Sequence, residues 1–235
     1  MKLAASAWLS SILLTVLALL PTSVSGGMTP EEVKVFETYK AKAKKGDLEA
    51  YFNLVACYAT GCGVPKDYAE AGNWLRKAAD QGYAPAQANL GNNYATGFGV
   101  PKDLVEAVKW YRKAADQGNA LAQYFLGVCY ADGKGVAKDD VESVKWFRKA
   151  ADQGDASCQY ILGHCYANGK GSLAKDDVEA YAYYNLAGIT IEEARKNRDI
   201  LEKKLSPDAV SRGQQRSTEL QKEIEAKIAA KRAGK

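Results

Sequence analysis

The chain has 235 residues, a formal net charge of +4 and 26% charged residues, with one histidine and five cysteines. So small a net charge leaves no electrostatic footprint for nucleic acid, and the recurring lysines (Lys66, Lys102, Lys138, Lys175) are spread along the chain as a solvated surface. One histidine and scattered cysteines also give no set of side chains at metal-ligand spacing, and no cofactor motif is present.

Residues 1–26 read as a targeting segment. Lys2 supplies the positive start, 3–20 is apolar, Pro21 breaks the run, and the small residues Thr22 to Gly26 suit cleavage after Ser25 or Gly26. The segment predicts a periplasmic or secreted protein with no membrane span after cleavage, and its apolar run leaves an uncleaved anchor as the alternative. Thr29 then caps a helix with Pro30 at its first position. Val33, Phe36, Tyr39 and Ala43 share one face of it, so 29–45 reads as an N-terminal capping helix.

From Gly46 the chain repeats itself every 36 residues, as 46–81, 82–117 and 118–153. A fourth copy, 154–190, carries one extra loop residue, Ser172-Leu173 standing where the third has Val136. A fixed period in this range marks a stacked array. Within 82–117, Ala84, Ala88, Leu90, Gly91, Tyr94 and Ala95 fall at helical spacings, and Gly97 ends the run in a left-handed turn. Gly99, Val100 and Pro101 form a loop, and Asp103 with Glu106 makes a capping-box-like start for a second helix. That pair recurs as Asp67/Glu70, Asp139/Glu142 and Asp176/Glu179. The second helix buries Ala107, Trp110 or Tyr111, Ala114 and Ala115. Each copy is therefore a helix–loop–helix hairpin, which needs a stacked neighbour to cover its remaining apolar face. Gly91, Gly127 and Gly163 permit close approach of the paired helices, and Trp74, Trp110, Trp146 and Tyr183 are the large fillers opposite.

The pattern carried by Leu90-Gly91, Tyr94, Gly97, Gly99-Val100, Lys102-Asp103, Ala107, Trp110 and Lys113-Ala114-Ala115 resembles the Sel1-like repeat, a relative of the tetratricopeptide repeat. Copies one to three match closely, with Val55 at the helix glycine of the first. The fourth departs at Asn185-Leu186-Ala187, as a terminal copy would. The resemblance covers about 145 of the 235 residues. It implies an all-α fold, a right-handed α-α superhelix (solenoid) of four repeats with capping helices at both ends. It also implies a scaffold for protein–protein contact and no reaction.

Residues 191–235 read as C-terminal capping helices and a basic tail. Ile189 to Leu205 is helical with Ile191, Ala194, Leu201 and Leu205 inward, and Ser206 caps a further helix. Val210, Leu220, Ile224 and Ile228 give that last helix a thin apolar stripe, expected to fray or to await a partner.

Cys57, Cys129 and Cys165 hold one repeat position, so adjacent layers separate them by about 8–10 Å, beyond disulfide reach. Cys158 and Cys165 lie two turns apart, roughly 10.5 Å. Cys57 with Cys62 is the one geometrically conceivable disulfide, across the end of a helix. The alternative is that Cys57, Cys129, Cys158 and Cys165 are small buried hydrophobes. Cysteine-rich secreted members of the family carry a cysteine in the Lys-Ala-Ala segment, which has none here.

If the hairpins stack as tetratricopeptide repeats do, the first helices line a concave groove. Phe52 and Asn53, Asn89 and Asn92, Tyr124 and Val128, then Tyr160, His164 and Asn168 are its candidate ligand-binding residues. Amides and aromatics together suit an extended protein or peptide partner. The sequence therefore predicts an exported adaptor and no enzyme. A second reading is a cell-wall hydrolase of the β-lactamase or penicillin-binding type, from the S-x-x-K match at Ser172 and Lys175; no S-D-N or K-T-G follows it. A third is a structural protein that self-associates through its C-terminal helix.

Overall fold

The computed structural model describes residues 28–233; the segment expected to target the protein, with the expected cleavage at Ser25 or Gly26, and the last two residues lie outside them. Among the described residues there are eleven helices and no strand. They are α1 Pro30–Ala43, α2 Leu48–Thr60, α3 Tyr68–Asp80, α4 Ala84–Thr96, α5 Leu104–Asp116 and α6 Ala120–Asp132. There follow α7 Asp140–Ala151, α8 Ala156–Asn168, α9 Asp177–Ala187, α10 Glu192–Glu202 and α11 Pro207–Ala233. The chain forms two compact units, meeting in sequence at Lys102 and Asp103. The first holds α1 to α4 and the second α5 to α11.

The local signals act as the sequence predicts, with additions. Thr29 accepts from the Glu32 amide while Glu32 Oε2 accepts from the Thr29 amide, a complete capping box. Asp67, Asp103, Asp139 and Asp176 each accept from the backbone amide three residues on. The glutamates of those four pairs do not complete the box. Glu70 bonds Asn73, Glu106 bonds Lys109, Glu142 bonds Lys145 and Glu179 bonds Arg216. The first helices are capped too, by Asp47, Asn119 and Asp155, whereas Tyr83 provides α4 with no side-chain bond. Gly61, Gly97, Gly133 and Gly169 close the first helices in the left-handed conformation.

In the first unit each helix packs on the next, α1 on α2, α2 on α3 and α3 on α4. Phe36, Ala43, Ala50, Leu54, Cys57 and Cys62 form its core, flanked by Tyr39, Tyr58 and Trp74. Val33 departs from the predicted inward face of α1; it is exposed, and Glu32 is buried at the capping box.

In the second unit α6 packs on α7 and α8 on α9, with α5 against α6 and α7 against α8. The close approach predicted at the helix glycines is made against the aromatic one residue after the tryptophan position. A Cβ on Gly127 would stand 2.7 Å from the Phe147 ring, and one on Gly163 2.6 Å from Tyr184. Trp110 and Tyr111 are both buried.

Second glycines in the loops hold neighbouring elements. Gly135 has a φ of +72° and passes so close to the Leu104 carbonyl that a Cβ would collide with backbone. Gly63 makes the equivalent approach to the Glu32 carbonyl of α1.

The C-terminal helices are ordered onto this frame. Helix α10 begins at Glu192, three residues later than the predicted Ile189, which is exposed in the preceding turn. Both α10 and α11 pack on α9. Tyr181 lies against Gly213, while Leu220 and Ile224 join the core with Tyr183 and Leu186. Far from fraying, α11 is one helix of 27 residues. Its basic end is docked: Lys227 pairs with Asp152 at 2.9 Å, and Lys231 donates to the Gly118 carbonyl and to Gln153 Oε1. Leu220 and Ile224, of the apolar stripe expected to await a partner, are buried within this chain, and Val210 and Ile228 are half-buried.

Candidate functional site on the first-helix face

The candidate residues fall on α2 and α4 in one unit and on α6 and α8 in the other. Phe52 and Asn53 are half-buried on α2, with Phe52 tilted against Tyr83 at 5.8 Å between ring centroids. On α4, Asn92 is half-buried and its carbonyl accepts from Thr96. Asn89 is placed differently from the groove expectation. It is only 8% exposed and its amide donates to the Pro85 carbonyl of its own helix at 3.0 Å. Its Oδ1 is buried without a hydrogen-bond partner, so the side chain is turned inward rather than offered to a ligand.

On α6, Tyr124 and Val128 are half-buried. Tyr124 meets Phe125 at 5.2 Å and Phe147 at 6.2 Å, and Phe125 stacks on Tyr111. Burial, with Cys158 and Asp155 nearby on α8 and at its cap, pushes the Tyr124 phenol up from its ordinary value. This places Tyr124 beside the start of α8.

On α8, Tyr160 is half-buried while His164 and Asn168 are exposed. The His164 ring stands edge-on to Tyr160 at 4.7 Å and to Tyr184 at 5.4 Å. Helix α10 closes on this cluster: Asn197 Nδ2 reaches the Tyr160 hydroxyl and His164 Nε2, each at 3.3 Å. Although His164 is exposed overall, partial desolvation of its ring against these neighbours, then repulsion from Lys170, lowers its pKa, and Glu193 opposes them. Asn168 donates to the His164 carbonyl. The end of the candidate face is thus a ring cluster fixed by the chain's own capping helix.

The groups that join layer to layer were not among the expected site residues. Arg76, Arg112 and Arg148 donate to the hydroxyls of Tyr94, Tyr130 and Tyr166, each 18 residues on. Gln87, Gln123 and Gln159 are buried and donate to the carbonyls of Ala79, Ala115 and Ala151. Their signal was recurrence at the repeat period of polar residues with no role in a hairpin taken alone. Asn185 has no such signal. It stands at the position of Arg148 one copy on, accepts from Arg198 of α10 and donates to Ser217 of α11.

Other chemistry finds little support in the geometry. Ser172 sits in an exposed loop at a φ of +66°, and Lys175 faces Asp177 at 3.7 Å. Among the described residues no three histidine, cysteine or acidic side chains gather as a metal site, and no helix is long and apolar enough to cross a membrane. All five cysteines are buried free thiols, so the conceivable Cys57–Cys62 bridge is not formed in this structure. Burial pushes Cys57 up to about 12 and Cys129 up to about 11.

The pattern of the Sel1 repeat matches four stretches, 48–83, 84–119, 120–155 and 156–188. Among solved structures, a Sel1 repeat protein from Oxalobacter formigenes is 34% identical, with 83% of this chain and 79% of that one covered and a TM-score of 0.68. The protective antigen c5321 of uropathogenic Escherichia coli strains, of SLR fold, is 26% identical over 85% of this chain and 58% of its own, at a TM-score of 0.51. The immunity protein PA5088 from Pseudomonas aeruginosa, at 24% identity, covers 94% of this chain and 81% of that one, with a TM-score of 0.52, and shares the fold. No curated protein matches the chain.

Proposed function

The chain belongs to the Sel1 repeat family, whose arrays are scaffolds for protein–protein contact, and from that premise we propose that it is an exported adaptor binding a peptide segment of another protein. The observation that carries the proposal is the first-helix face of the second unit. Tyr124 and Val128 on α6 and Tyr160, His164 and Asn168 on α8 leave ring edges, an imidazole and an amide accessible. Half-buried aromatics are already held in place by the core, so contact with a partner costs little side-chain entropy. The side-chain amide and imidazole can bond an extended backbone. Export rests on the targeting pattern of residues 1–26.

The test is a pull-down from bacterial envelope extract with the mature protein, against a Val128→Ser/His164→Ala/Asn168→Ala variant whose thermal melt is unchanged. A protein retained by the first and lost by the second supports an adaptor working through this face. A partner kept equally by both moves the site elsewhere. N-terminal sequencing of the protein from the periplasmic fraction tests export; an intact Met1 sinks that part.

A further inference from the structure

We infer that Cys57 and Cys62 form a thiol–disulfide site, a pair closed by a disulfide oxidant and reopened by a thiol reductant, that locks the seat of the N-terminal capping helix. Gly61 ends α2 in the left-handed conformation, and the Cys62 amide returns to the Cys57 carbonyl at 3.1 Å. That bond joins the two positions whose side chains ordinarily meet in an apolar contact at a helix end. With standard bond lengths it limits the Cα separation to under about 7 Å, the span a disulfide bridges. Both side chains are buried in the first unit's core with Phe36.

The repeat supplies its own controls. The same backbone bond joins Asn93 to Phe98, Cys129 to Lys134 and Cys165 to Lys170. Only the first copy places sulfur at both ends, so Cys129 and Cys165 have the geometry without a partner. The first copy is also where the loop glycine, Gly63, is pressed on the Glu32 carbonyl of α1. A bridge at Cys62 would fix the residue next to that contact, and so hold α1 on the array.

The chemistry balances as exchange with a small-molecule or protein disulfide. Cys62, the less deeply buried of the two, loses its proton and attacks one oxidant sulfur, expelling the other as a thiolate. Cys57 then loses its proton and displaces the second thiol. Two protons and two electrons leave the protein, and the oxidant ends as two thiols. Burial raises both thiols above their ordinary range, so the exchange is slow near neutral pH and speeds with alkali.

The experiment equilibrates the full chain across glutathione mixtures from reduced to oxidised, then alkylates remaining thiols in denaturant. Cys57 and Cys62 share one tryptic peptide, 46–66. The expected product is that peptide unalkylated and lighter by two hydrogens, with the other three of the five cysteines still alkylated. Half-conversion should come at a glutathione ratio about tenfold more reducing for the folded protein than for the chain in denaturant. The oxidised protein should melt several degrees higher, a gain kept by Cys129→Ser and absent in Cys62→Ser. A doubly alkylated peptide at every ratio, a bridge to another peptide, or equal half-conversion folded and unfolded would each overturn the proposal.

Discussion

Arg148 Nη2 donates to the Tyr166 hydroxyl at 2.7 Å while its guanidinium lies 5.9 Å from the centre of the same ring, so one side chain of α7 clasps α8 twice. The contact joins the second helix of one copy to the first helix of the next, and it recurs at Arg76 with Tyr94 and Arg112 with Tyr130. A charged donor to a half-buried phenol is worth more than a neutral bond, roughly 1.5–3 kcal/mol before exposure reduces it. Arg148→Ala should therefore lower stability by about 1–2 kcal/mol in urea denaturation. In a double-mutant cycle with Tyr166→Phe the two should couple by about 0.5–1 kcal/mol. Strict additivity would show that the clasp contributes nothing.

Gly135 tests how the loops seat. Ala there meets both a φ of +72° and the Leu104 backbone, neither of which can give way. Gly118 has a similar φ, +79°, but only the tip of Lys231 nearby. Gly118→Ala should cost about 1 kcal/mol, the left-handed penalty alone. Gly135→Ala should cost about 3 kcal/mol or more, since the loop must also move. Equal costs would mean that the loop yields freely.

Asn185 holds α10 through Arg198 and α11 through Ser217. Asn185→Ala removes both bonds and leaves the buried Ser217 without that partner, for an expected loss of about 1–3 kcal/mol. The loss should be local first, read as faster amide hydrogen exchange in α10 and α11 with α6 to α8 unchanged. Uniform acceleration across the unit would contradict a role confined to the cap.

His164 is the single histidine, so its ring protons can be followed in the NMR spectrum without assignment. Partial desolvation where the exposed ring lies against Tyr160, Tyr184 and Asn197, with Lys170 opposing protonation and Glu193 favouring it, should place its midpoint below the ordinary 6.5. The unfolded chain then binds the proton more readily than the folded one. Stability is unaffected by this group above 6.5 and falls as pH drops through 6.5 towards the folded-state midpoint. His164→Gln should flatten that part of the pH profile. A midpoint above 6.5 would mean that Glu193 outweighs burial.

Much of the architecture was legible in local chemistry. Thr29, Asp67 and Gly97 act within three or four residues of themselves, and a cap or a left-handed turn needs no distant partner. The 36-residue period added the hairpins and their order, because four copies of one signal fix the helix starts and ends together. The candidate face was legible only in part. Asn89 and Asn92 read alike in sequence, three residues apart, yet one is turned into its own helix and the other is half-exposed.

By itself, then, the sequence determined most of what neighbours along the chain govern: the repeat that assigns the family, the aspartate caps of the second helices and the glycines that end the first ones. Tertiary structure alone decided what lies between layers and at the end of the array. It brought Arg148 to Tyr166 and Asn197 to His164, and it laid Leu220 and Ile224 of α11 on α9. The reason is geometric. A helix rotates by about 100° per residue, so periodicity shows which residues share a face, while the partner of that face depends on how helices far apart in sequence come to rest.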